Sequence, residues 1–208
     1  VSSLRTGGAS VAQQLGATPV PENTTDYHLR RLRNVVEEIA IASGVPVPQI
    51  FVLNDEAGIN AFAAGYSPSD AAVAVTRGAL NSLNRDELQG VIAHEFSHIL
   101  NGDMRLNIKL MGLLFGIMVM ALIGQKILEH GRFRSKDAAP IIGVALGLMV
   151  IGYIGLFFGR MIKAGVSRQR EYLADASAVQ FTRQTKGIAG ALKKIGGLHD
   201  GSKLANAD

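Results

Sequence analysis

Cysteine does not occur in this 208-residue sequence. That excludes disulfide bridges and thiolate metal sites, and it fits a reducing compartment without requiring one. There is no internal repeat and no low-complexity tract, so the length reads as one ordinary domain with its own core. No N-terminal signal sequence is visible. The chain opens on Val1 rather than Met, and we read it as a segment of a longer product. Charge is also scarce. Asp, Glu, Lys and Arg make up 18% of residues against 48% hydrophobic ones, and the mean hydropathy of +0.21 is high for a soluble domain.

The scarcity is local. Residues 110–124 hold no charge over 15 positions, and residues 138–159 hold none over 22. A spanning helix needs about 20 apolar residues. The second run meets that alone, and the first meets it if Lys109 and Lys126 extend to the interfaces. With the short polar link 129–137 between them, the runs read as an inserted membrane-spanning helical hairpin over residues 106–162. Gly112 with Gly116, Gly143 with Gly147, and Gly155 with Gly159 are small-xxx-small pairs that would let its helices approach. The rival is a pair of buried helices in a soluble core, but such helices are seldom apolar all round.

The net charge of +4 fits either nucleic acid or an anionic membrane surface. The basic residues flank the apolar runs, and no nucleic-acid-binding module is present. The expected partner is therefore the lipid bilayer and not nucleic acid. Arg105, Lys109, Arg160, Lys163, Arg168 and Arg170 flank one end of the hairpin, and Lys126, Arg132, Arg134 and Lys136 the other. Six against four favours a cytoplasmic placement of the larger part.

Residues 1–25, rich in Gly, Ser, Thr and Pro, read as a linker or N-terminal arm, with a domain over 26–208. Asp26 caps a predicted helix over 27–43 that Gly44 stops. Residues 48–54 read as a buried strand, and residues 60–76 as strand, turn, strand. Asn84 with Glu87 is a capping signal. The helix it opens carries an apolar arc of Leu88, Ile92, Phe96 and Ile99, and Asn101-Gly102 ends or kinks it. Further helices are expected over about 163–184 and 188–195.

That capped helix contains VIAHEFSHILNGD, residues 91–103. His94 and His98 fall on one face, one turn apart, with Glu95 beside them. This is H-E-x-x-H: two imidazoles for Zn2+ and a carboxylate to handle a proton. A catalytic zinc takes three protein ligands and keeps one position open. A histidine six residues after the second is one common third ligand, but Met104 stands there. Asp103, Glu129, His130, Asp137, Glu171, Asp175 and His199 remain. Glu129, His130 and Asp137 sit at the far end of the hairpin, about 30 Å away if it spans a bilayer. Asp103 is too close in sequence to fold onto the same metal, and a supporting or capping role suits it better.

Glu171 has the best case, because a hairpin returns the chain to the level it left. Asp175 lies four residues on and would accept from the far nitrogen of a zinc-bound histidine. Ala174, Ala176 and Ala178 would let this helix pack closely. Arg168 and Arg170 are expected to be bystanders. The rival is a solvated charged face.

The set INAFAAG (59–65), AVAVT (72–76), HEFSHILNGD (94–103), an apolar hairpin and SRQREYLADASAV (167–179) resembles the HtpX-type membrane zinc metallopeptidases, relatives of the CAAX prenyl proteases. The resemblance runs from about residue 26 to 197. It implies an α+β, mostly helical, gluzincin-like metallopeptidase fold with a small antiparallel sheet. It implies zinc ligands His94, His98 and Glu171, with Glu95 catalytic. The expected location is the bacterial inner membrane, and the expected activity is endoproteolysis of membrane or misfolded proteins in extended conformation. The strand Asn60, Ala61, Phe62, Ala63 would border the substrate, which pairs with an edge at 60–63 or 73–76. The family carries a further C-terminal histidine that helps hold the oxyanion. His199, in GGLHDGS, departs from that motif, and the counterpart is expected beyond Asp208. A membrane chaperone or scaffold with a structural zinc site is the alternative, but such a site has no use for Glu95.

Overall fold

The computed structural model describes residues 7–130 and 138–197. Asp137, most of the polar link and the tail with His199 lie outside the described residues, as do the readings made of them. The chain divides into two compact units. One ends at Arg105 and resumes at Arg170, and the other runs from Leu106 to Gln169.

In chain order the first unit begins with α1 (Gly7–Gln14), β1 (Thr18–Pro19), α2 (Tyr27–Ser43), β2 (Gln49–Leu53), β3 (Ala61–Ala64) and β4 (Ala72–Thr76). Two helices follow: α3 (Arg77–Ser82) and α4 (Arg85–Asn101). The strands form one sheet in the order β1-β2-β4-β3. It is mixed and not antiparallel as expected, because β2 and β4 run parallel. The reason lies in β4. All five of its residues are buried, so it needs cover on both faces and a neighbour on both edges. The short turn holding a 3₁₀ helix at Pro68–Asp70 makes β3 its antiparallel neighbour. β2 takes the other edge, and β3 is left at the rim.

Side chains alternate across this sheet with the strand period of two. Ile50, Val52, Val73 and Val75 face the main core with Leu32, Val36 and Ile39 of α2 and Leu88, Ile92 and Phe96 of α4. Phe51, Leu53, Ala72 and Ala74 face Ala12 of α1 and Ala17. Helix α1 therefore covers one face, and α2 with α4 the other.

Residues 7–25 are thus a folded layer where a linker was expected. Gly8 explains the misreading. A Cβ there would stand 2.1 Å from the Ala64 carbonyl oxygen and 2.8 Å from the Ala72 nitrogen, so this glycine serves close packing of α1 on the sheet, and no breaker is involved.

The chain then runs into α5 (Asp103–His130), α6 (Ala138–Thr182) and α7 (Lys186–Gly197). Helix α6 is unbroken over 45 residues, so the second apolar run and the expected helix at 163–184 are one element. No proline falls after Pro140 to interrupt it.

The second unit holds the apolar parts of α5 and α6. Both helices are long and apolar enough to cross a membrane, and only 6% and 11% of their most apolar windows are buried. That disfavours the soluble-core rival. Their contact uses other glycines than expected. Gly112, Gly116, Gly143 and Gly147 have nothing near them, whereas a Cβ at Gly152 would meet Ala121 at 2.6 Å and one at Gly124 the Ala145 carbonyl oxygen at 2.5 Å. Of the predicted pairs, Gly155 and Gly159 do face the opposite helix, at Ile117 and Leu114.

Candidate metal centre

Helix α4 is fixed at both ends. Asn84 accepts from the Glu87 backbone N–H at 2.9 Å, and the Glu87 carboxylate accepts from the Asn84 N–H at 2.8 Å. Gly102 closes the helix at φ 66°, a left-handed position that favours glycine. The arc Leu88, Ile92, Phe96 and Ile99 is at most 1% exposed, which sets the rotation of the helix. His94, Glu95 and His98 are left at the border of the core.

Two more segments meet them. The C-terminal part of α6 packs through Ala174 and Ala178, both buried. Ala176, expected to help, is exposed. This register brings Glu171 Oε2 to 3.3 Å from His94 Nε2. His98 Nε2 lies 3.2 Å from His94 Nε2. One ligand atom from each of His94, His98 and Glu171 falls within 4.8 Å of the others. Among the described residues this is the one such group of three. Glu129 instead accepts a hydrogen bond from Gln125, and His130 sits next to it at the end of α5, outside the cluster.

Each histidine is held from behind. His94 Nδ1 donates to Asp175 Oδ1 at 3.0 Å, and His98 Nδ1 donates to Asp103 Oδ2 at 2.7 Å. A carboxylate only accepts, so in each neutral imidazole the proton is on Nδ1 and Nε2 presents its lone pair. Two lone pairs facing each other at 3.2 Å repel, and a cation between them removes the repulsion. Two nitrogens bound at the usual zinc distance on a tetrahedral ion lie about 3.3 Å apart. The donor set, its tautomers and its spacing fit zinc.

Asp103, expected in a supporting or capping role, is the residue that accepts from His98. Helix α5 starts directly after the left-handed Gly102, which turns the Asp103 side chain back toward His98. Arg170, expected to be a bystander, is hydrogen-bonded in two places. Its Nη1 donates to Asp103 Oδ1 at 2.5 Å and to the Asn101 carbonyl at 3.4 Å.

A family model for "Peptidase family M48" matches residues 27–202. The chain belongs to peptidase family M48. It is 42% identical over 177 residues to a protease HtpX homolog of Dictyoglomus turgidum, covering 84% of this chain and 57% of that protein. It is 40% identical to one of Ligilactobacillus salivarius, covering 84% of this chain and 60% of that protein. The chain thus spans less than two thirds of the length of these relatives. The crystal structure of S. mikatae Ste24p shares its fold, with a TM-score of 0.59 at 21% identity, over 88% of this chain and 44% of that one.

In this M48 chain Glu95 sits beside the cluster. The Ala63 N–H donates to Glu95 Oε2 at 3.0 Å. Burial pushes the Glu95 carboxyl above its ordinary range. The neighbouring His94 and His98 and the Ala63 N–H oppose that without cancelling it, and Glu171 adds to the rise.

A cavity of about 160 Å³ opens next to His94 and Glu95, with Asn60 and Ala61 on one side and Val91, Ile188 and Leu192 on another. The Asn60 side chain accepts from the Ala61 N–H at 2.9 Å. Since β4 is interior, the rim strand is β3, and the alternative edge at 73–76 is excluded. Within β3 the residues divide. Ala61 and Ala63 pack toward α4, whereas Phe62 packs with the α1 face of the sheet, which takes its ring away from the cleft it was expected to line.

Proposed function

We propose that this chain is the catalytic part of a zinc-dependent endopeptidase of the membrane, of gluzincin type. The observation that carries the reading is the convergence of His94, His98 and Glu171 beside the Glu95 carboxylate. These three would hold the metal. Zinc bound there would supply a Lewis acid for the substrate carbonyl and lower the pKa of a water to about 7.

The chain's own groups do the rest. Glu95 takes the proton of the attacking water and returns it to the leaving nitrogen. With Oε2 occupied by the Ala63 N–H, Oε1 is the atom for that proton. Asp175 and Asp103 hold the imidazoles in the tautomer that faces Nε2 to the metal. An extended substrate would lie along the outer edge of β3, at Asn60, Ala61 and Ala63.

Helices α5 and α6 would form the spanning hairpin, inserted at about 106–162 into the domain expected over 26–208, which residues 7–25 join as a folded layer. Their length and exposed apolar surface support this. The charge bias supports a cytoplasmic site in a bacterial inner membrane, and the substrates would be membrane or misfolded proteins.

The test is Glu95→Gln with zinc analysis and cleavage of a denatured protein. The expected result is retained zinc with turnover reduced at least 100-fold. Normal turnover, or loss of zinc, would refute the role of Glu95. Zinc retained in a wild-type chain that cleaves nothing would favour a structural site.

A further inference from the structure

We propose that Arg170 is a positioning residue for the metal centre, acting on His98 through Asp103. The inference rests on the zinc reading above.

The two carboxylates behind the histidines are not equivalent. The Asp175 side chain is 49% exposed, so water can solvate it. The Asp103 side chain is 9% exposed. A buried carboxylate needs charged or hydrogen-bonded partners to stay fixed. Asp103 spends one oxygen on His98 Nδ1 and the other on Arg170 Nη1. Arg170 also reaches the Asn101 carbonyl, in the last turn of the helix that carries both histidines.

The placement along the chain gives this pair a second consequence. Asp103 and Arg170 are 67 residues apart, at the points where the chain leaves the first unit and re-enters it. Arg170 precedes the ligand Glu171 directly. A single guanidinium therefore ties the start of α5, the end of α4 and the ligand turn of α6. Without it, Asp103 is buried with one partner and can rotate off His98 Nδ1, and the imidazole loses the anchor that aims Nε2. No other cation among the described residues is paired with Asp103.

The experiment measures zinc affinity of the purified chain in detergent by chelator competition, and the visible spectrum of its cobalt-substituted form. The variants are Arg170→Met, Arg170→Lys, Asp103→Asn and the double variant Arg170→Met with Asp103→Asn. Arg170→Met should weaken zinc roughly tenfold, within the usual range for a group behind a ligand, and should alter the cobalt bands. Arg170→Lys should recover part of the loss, since lysine keeps the charge but lacks the planar fork. The double variant should be no worse than Asp103→Asn alone.

Wild-type affinity in folded Arg170→Met, or losses that simply add, would overturn the proposal. Should Arg170→Met not fold, Arg170→Lys decides: affinity between wild type and Asp103→Asn supports the role, and affinity equal to wild type overturns it. His94→Ala and Glu171→Ala keep the two readings apart. If these lose zinc while Arg170→Met does not, only the Arg170 proposal fails. If they retain it, the zinc reading itself fails.

Discussion

Lys194→Met removes the cation that pairs with Glu87 among the described residues, and the cost can be worked from the contacts. Lys194 Nζ donates to Glu87 Oε2 at 2.6 Å and to the Ser82 carbonyl at 2.9 Å, joining α7 to the start of α4. Removing one partner of a fully buried pair costs about 3–5 kcal/mol. Glu87 is 10% exposed but Lys194 is 43% exposed, so water already screens much of the interaction. Glu87 also keeps its bond from the Asn84 N–H. About 1–2 kcal/mol is the expected loss at neutral pH.

The pH dependence has a definite sign. Burial alone would raise the Glu87 carboxyl. Lys194 and the Asn84 N–H outweigh burial and hold it below its ordinary range. A depressed carboxylate contributes stability above its unfolded pKa, near 4.3, that is lost as pH falls through the lower folded value. The gap between wild type and Lys194→Met should therefore narrow in acid to the part that the Ser82 contact contributes.

Amide hydrogen exchange in α7 reads this locally, because a backbone-to-backbone seam holds α7 on α4. A Cβ on Gly90 would meet the Ile188 nitrogen at 2.6 Å. Faster exchange in α7 at neutral pH, and a smaller difference once the pH falls below the lowered folded value of Glu87, is the expected pair of results. Unchanged exchange at neutral pH, or a gap that does not narrow in acid, refutes the reasoning. Ile188 and Leu192 also wall the cavity beside Glu95, so KM for protein substrates should rise in the same variant.

Glu171→Ala should strip zinc in graded chelator about as badly as His98→Ala, and Asp175→Asn should lose roughly 10-fold in affinity; retention of zinc by Glu171→Ala would remove it from the ligand set. Ala63→Pro deletes the N–H that holds Glu95 Oε2, at a rim position where proline is tolerated; cleavage should fall with zinc retained, and unchanged cleavage would show that Glu95 needs no such anchor. The chain should stay monodisperse only in detergent or bilayer, and become soluble when residues 108–162 are replaced by a short linker. A detergent-free, monodisperse wild-type chain on gel filtration would count against the spanning hairpin.

What the sequence disclosed follows how far each signal reaches. The helix α4 was legible because its cap, its apolar arc and its two histidines all lie within 17 residues and obey one period. The sheet was less so. AVAVT is apolar on both faces, and that pattern marks a strand as interior without naming its neighbours. Hairpin logic alone gives β3 beside β4, and says nothing of β2 running parallel on the other side. The N-terminal arm was misread because glycine carries two opposite signals. In Gly16 it accompanies a positive φ of 84° at a turn, whereas in Gly8 it permits contact with the sheet backbone. Composition does not separate these cases; only the partner atoms do.

The supporting carboxylates divide on the same principle. Asp175 was readable because it shares a helix with Glu171, four residues on, so the spacing alone puts both on one face. Asp103 was readable in part, from its place just past Gly102. The role of Arg170 was not, because it depends on the register at which α6 re-enters after an excursion of 67 residues. One residue of helix register is a rotation of about 100°. That is enough to turn Arg170 to solvent, and a bystander reading follows from any register but the one that Ala174 and Ala178 set by their burial. The two histidines of the cluster are thus a local property of the sequence, whereas Glu171 and the residues that hold the imidazoles are fixed by how two distant helix segments pack.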